Sequence, residues 1–161
     1  MAKFEKASDD VKLLFEEVRE KTTIPQWVVI EVLCNDKQKN DPCKLFKAND
    51  LLETLTNIDG GGGINFVVVI NEEIFGQLPK DMQKIAIDEC LAGVGISDAD
   101  VLTLEKPNFN THTGVLAKYG DKSIIVLHES IKSLYDAKKQ KEDEEKAAKK
   151  GKRGKKKGVE V

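Results

Sequence analysis

Seven residues in the middle of the chain, Ile64 to Ile70, form an apolar run that only Asn65 interrupts. The run is far short of the roughly 20 apolar residues that cross a bilayer as a helix. It is rich in β-branched side chains and lacks alternation, the pattern of a strand buried on both faces. Such a strand belongs in the middle of a sheet with other elements covering it. A chain of 161 residues supplies that cover within one domain but hardly within two.

The flanking sequence reads as an α+β fold, a short sheet packed with helices. Val11, Leu14, Phe15 and Val18 recur at helical spacing, and Ser8 or Asp9 can cap the first turn, which predicts a helix over 9–21. Ile24 and Pro25 end it, and a strand follows over Trp27–Cys34. Lys44–Ala48 reads as a second short strand, and Asn49 is placed to cap a short helix carrying Leu51, Leu52 and Leu55. After the long apolar run, Phe75 and Leu78 mark a helical turn. Pro79 then opens a helix with Met82, Ile85, Ala86, Cys90 and Leu91 on its apolar side, stopped by Gly93 and Gly95. Val101–Leu104 reads as a short strand and 107–111 as a loop. Helices over 112–119 and 122–139 follow, parted by Gly120.

Charge divides the chain in two. Residues 1–136 hold 15 basic and 23 acidic side chains, a net of −8, whereas 137–161 hold 11 basic and 5 acidic, a net of +6. The reading is a globular domain over 1–136 and a charged, Lys-rich tail over 137–161. Pairs such as Lys138/Glu142 and Glu145/Lys149 at i,i+4 can carry the last helix to about residue 150. Beyond it the chain has nothing apolar to bury and is expected to be disordered when free. Three cysteines, Cys34, Cys43 and Cys90, without CxxC spacing suit reduced thiols. The N-terminal residues hold no apolar segment of signal-peptide length, so a soluble, cytoplasmic protein is expected.

The order of the buried strand, Asn-Glu-Glu-Ile-Phe-x-x-Leu at 71–78, Gln83, and an amphipathic helix with an acidic pair resembles the phage metallopeptidase family. This is a small zincin-like group related in plan to the SprT-type proteases. The resemblance runs from Phe4 to about Asp136 and continues through Lys-Pro-Asn-Phe-Asn-Thr-His-Thr-Gly-Val-Leu-Ala-Lys-Tyr-Gly at 106–120. It implies a zincin-like fold and, if phage-encoded, a home in the host cytoplasm. Active members carry His-Glu-x-x-His, two imidazoles one turn apart on zinc and a glutamate that activates the bound water. Here the pentad is Asp88-Glu89-Cys90-Leu91-Ala92, in which only the glutamate survives. The resemblance therefore implies a scaffold more than an activity, and no cofactor is expected.

A rebuilt divalent-metal site from Asp88, Glu89, Cys90 and His112, with Asn108 nearby in sequence, is the competing idea, and Glu89 would be its base. The bland alternatives are a solvated helix face for Asp88 and Glu89, a small buried contact for Cys90, and a polar cap for His112. His128-Glu129-Ser130-Ile131-Lys132 has lysine where a second histidine should stand, and a protonated ammonium cannot ligate. Gly60–Gly63 precedes a strand and lacks a lysine, so it is no phosphate loop, and no Gly-x-Ser-x-Gly elbow occurs.

The most functional-looking stretch is Lys149, Lys150, Lys152, Arg153, Lys155, Lys156 and Lys157, seven cations with no acid among them. Clustered cations bind a polyanion by releasing its counterions, with little sequence preference, and the lack of aromatics limits them to backbone contact. A solubilising tail, or one folded onto the acidic body, is the alternative. Nothing apolar or lipidated suggests a membrane. The expectation is a non-catalytic binding protein whose tail contacts nucleic acid and whose body meets a host or phage macromolecule. A divergent hydrolase or a virion-associated structural protein stands beside it.

Overall fold

The computed structural model describes residues 4–57, 62–106 and 112–157, the side chains of 113 and 152–157 excepted. It is an α+β protein with helices packed on a small mixed sheet. The sheet holds β1 (Glu5–Lys6), β2 (Ile30–Cys34), β3 (Cys43–Lys47) and β4 (Phe66–Ile70) in the order β1-β2-β4-β3. The apolar run thus occupies an interior position, parallel to β2 and antiparallel to β3. Phe66, Val68 and Ile70 are wholly buried on one face. Val69 is buried on the other, where Val67 stays half-buried.

The helices are α1 (Asp9–Glu20), α2 (Asp50–Thr56), α3 (Glu72–Phe75), α4 (Lys80–Leu91) and α5 (Thr113–Lys157). Phe15 and Val18 of α1 enter the core, as their spacing requires, and α1 packs against α4. Ser8 stands at the N-cap of α1 without capping it. Its hydroxyl and amide instead donate to Glu72 Oε1 at 2.6 and 3.0 Å, which ties the chain start to α3. Asn49 does cap α2, its side chain accepting from Leu52 N at 2.8 Å. Arg19 is buried and donates to the carbonyls of Pro25 and Val28, and with Gln26–Val28 bent in this way the predicted strand starts only at Ile30.

Two elements differ from expectation. Glu5–Lys6 pairs with Leu33–Cys34 as a two-residue edge strand. The segment with Gly93 and Gly95 does not merely end α4. Val94–Ile96 becomes β5 and pairs antiparallel with β6 (Leu102–Leu104) in a second, two-stranded sheet. Gly95 is needed there, because a Cβ would collide with Thr103 and Glu105 side chains.

Gly120 breaks α5 at φ 80°, ψ 162°, a conformation open to glycine alone, at the predicted division. The helix then runs on past Gly151 and Gly154 to Lys157, where the sequence reading places disorder from about 150. Lysine and arginine are good helix formers, and each exposed glycine costs the helix only about 1 kcal/mol. The 1–136 boundary therefore falls inside a continuous helix. The loop over 107–111, with Asn108, and Gly60 and Gly61 lie outside the described residues. Among the described residues no helix is long and apolar enough to cross a membrane.

Candidate functional site

Helix α4 packs against both β3 and α5, and between them lies a cleft of about 630 Å³. Its apolar floor includes Leu45, Ala86, Leu127 and Ile131. Chemistry-bearing side chains enter from three directions. Glu89 and Cys90 come from α4, Asp41 and Cys43 from the start of β3, and His112, His128 and Tyr135 from α5 and the residue leading into it.

Within the cleft the side chains of Glu89 and His128 meet. His128 Nε2 lies 2.9 Å from Glu89 Oε1 and 3.0 Å from Oε2, with both side chains half-buried. The hydrogen bond to Glu89 holds the imidazole above its ordinary value near 6.5, and burial opposes it only in part. Asp41 adds a second carboxylate to this wall. Loss of hydration pushes its carboxyl up, the Cys43 amide donating to Asp41 Oδ1 at 3.2 Å pulls it down, and the negative Glu89 raises it further.

This pair makes stability pH-dependent. His128 holds its proton more tightly folded than unfolded, so its contribution is complete below about pH 6.5 and disappears as pH rises through the higher folded value. Urea unfolding midpoints should therefore fall from neutral to mildly alkaline pH. In Glu89→Gln that portion of the slope should vanish, and NMR titration should show His128 returning toward its ordinary value.

The structure divides the metal candidates named from sequence. Glu89, Cys90 and His112 border the cleft, but Asp88 does not. Neither carboxylate lies on a solvated helix face. Asp88 is 7% exposed, and its Oδ2 accepts from Lys118 Nζ and Tyr119 OH, each at 2.6 Å. The bond to Asp88 raises the Lys118 ammonium; burial and then Asp88 raise the Tyr119 phenol. Asp88 thus fastens α4 to the short segment of α5 before Gly120. Lys118→Met should destabilise the protein by about 1 kcal/mol in chemical unfolding, since a charge-assisted bond is lost while Tyr119 still serves the carboxylate.

A zinc site of the His-Glu-x-x-His kind does not fit these residues. The ligand position at 88 is committed to Lys118 and Tyr119, the one at 92 is alanine, and both oxygens of Glu89 face His128. Among the described residues no three His, Cys, Asp or Glu side chains are arranged to hold a metal ion.

The tail leaves the body along α5. Lys138 makes the last tie, its Nζ donating to Glu73 Oε2 at 2.9 Å and to the Asp36 carbonyl at 2.7 Å rather than pairing with Glu142. Every residue from Lys139 to Gly151 is exposed. Lys149 and Lys150 thus stand on a solvated helix; Lys152, Arg153, Lys155, Lys156 and Lys157 continue its backbone.

Sequence reasoning weighs His128 only within the His128–Lys132 near miss and not as a partner of Glu89, and it passes over Asp41. One signal was available: Ile124, Leu127, Ile131 and Leu134 form a helical stripe, and His128 follows Ile124 by four, at the edge of the buried face. Comparison with protein-family models, curated proteins and solved structures finds no match to this chain.

Proposed function

We propose that this is a non-catalytic binding protein of phage type that holds nucleic acid by its phosphate backbone through the basic end of α5. The observation that carries the reading is the departure of α5 from the body after Lys138. Lys149 stands eleven positions beyond Lys138, a rise of about 16 Å at ~1.5 Å per residue. That exceeds the Debye length of about 8 Å at physiological salt, so the acidic body neither neutralises the terminal cations nor repels their partner strongly. A tail folded onto the body would have to bend a helix whose backbone bonds are already made.

The phage origin rests on the resemblance that runs from Phe4 to about Asp136. The body's own partner, a host or phage macromolecule, would meet a surface of net negative charge and so is not a second polyanion. A hydrolase using Glu89 as base finds less support, because His128 already engages that carboxylate. Fluorescence anisotropy with duplexes of unrelated sequence tests the proposal. The full chain should bind them alike, and a chain ending at Ala148 should not bind. Equal binding by the shortened chain would reject it.

A further inference from the structure

Cys43 opens β3 and Cys90 stands at the C-terminal end of α4, and these two elements pack together. Both thiols are free, both residues are buried, and both border the cleft. Both belong to one buried cluster, and the neighbouring Cys90, then burial, holds the Cys43 thiol above its usual range. Cys34 is also buried, but it stands apart. It pairs with Ile70 across one edge of β4, while Cys43 pairs with Ile70 across the other. Two strand spacings of about 4.8 Å put their Cα atoms about 10 Å apart, beyond the ~7 Å limit for a disulfide. The Cys34 thiol donates to Asp36 instead, at 3.4 Å.

We propose that Cys43 and Cys90 form a reversible intramolecular disulfide in the lining of the cleft when the protein meets a peroxide-class oxidant. The Cys90 sulfur, as thiolate, attacks one peroxide oxygen. The O–O bond breaks, hydroxide leaves and takes up the proton released by the thiol, and Cys90 becomes a sulfenic acid. The Cys43 sulfur then attacks the Cys90 sulfur. The S–O bond breaks, the S–S bond forms, and the departing hydroxyl leaves as water with the Cys43 proton. Two thiols and one hydrogen peroxide thus give one disulfide and two waters, and a dithiol reductant reverses the change.

The bridge spans the 46 residues 44–89 and joins β3 to α4 in the lining of the cleft that also holds the Glu89–His128 pair. Closing so long a loop restricts the unfolded chain, so the oxidised protein should unfold at higher temperature than the reduced one.

The test is to treat the folded full chain with hydrogen peroxide, block remaining thiols, and map the linkage by mass spectrometry. One intrachain Cys43–Cys90 bridge is expected, with Cys34 alkylated, a raised unfolding midpoint, and full reversal by dithiothreitol. Cys34→Ser should form the same bridge. Cys43→Ser, which has no resolving thiol, should leave a Cys90 sulfenic acid trapped by dimedone. A bridge involving Cys34, linkage only between molecules, or three alkylatable thiols after exposure would overturn the proposal.

Discussion

Raising salt from about 50 to about 200 mM should weaken duplex binding by the full chain by roughly 10³-fold or more. The expectation follows from charge number. Seven cations from Lys149 to Lys157 stand without an acid among them, and each phosphate neutralised releases about 0.9 counterion, so the slope of log K against log salt should approach about −6. Changing Lys155, Lys156 and Lys157 together to Gln should reduce the slope by about 3, whereas changing them to Arg should leave it nearly intact. Single-stranded and duplex probes should differ in slope but show little base preference, because no aromatic side chain is available for stacking. A slope near zero with tight binding would mean that the body, not the end of α5, makes the contact.

Asn71→Ala should cost about 3 kcal/mol, a large part of the 5–15 kcal/mol that holds a domain folded. Asn71 has no exposed surface, and its side chain serves two segments at once. Its amide nitrogen donates to the carbonyls of Asp36 and Gln38 at 3.2 and 3.0 Å, while its oxygen caps α3 by accepting from Ile74 N at 3.2 Å. Alanine would take from the Gln38 carbonyl and the buried Ile74 amide the partner Asn71 gives them, while the Asp36 carbonyl keeps Lys138, and it would open a small void. Asn71→Asp keeps the cap but turns a carboxylate toward two carbonyl oxygens, so it should also be destabilised. Urea unfolding with an unchanged m-value measures both. An aspartate variant as stable as the parent would show that the two donated bonds contribute little.

Local patterns carry most of the secondary structure. The Ile64–Ile70 run marks the interior strand, Asn49 the start of α2 and Gly120 the break in α5, each by chemistry confined to a few neighbouring residues. The misses involve partners distant in sequence or local signals that point elsewhere. Glu5–Lys6 carries no strand pattern and pairs only because β2 offers it an edge. Gly93 and Gly95 signal a helix end, and only the approach of Thr103 makes the second a strand residue. The cleft was legible in part, since Glu89, Cys90 and His112 reach it as a group. His128 comes to Glu89 from 39 residues away, and the Asp88 contacts span 30 and 31, distances at which no periodicity speaks. Asp88 could be placed on a helix but not given its side of that helix.

The position of β4 also sets an order of events. β2 and β3 are neighbours in sequence, joined only by residues 35–42, yet they do not pair, because β4 lies between them. Both can form before β4 has been synthesised, and an early antiparallel hairpin between them would have to open again to admit it. The connection works against that hairpin: it contains Pro42 and three charges within Asp36–Lys39, and Asn40 adopts φ 71°. Folding therefore waits for Phe66–Ile70, and a variant that eased the 35–42 turn would fold more slowly while leaving the native sheet unchanged.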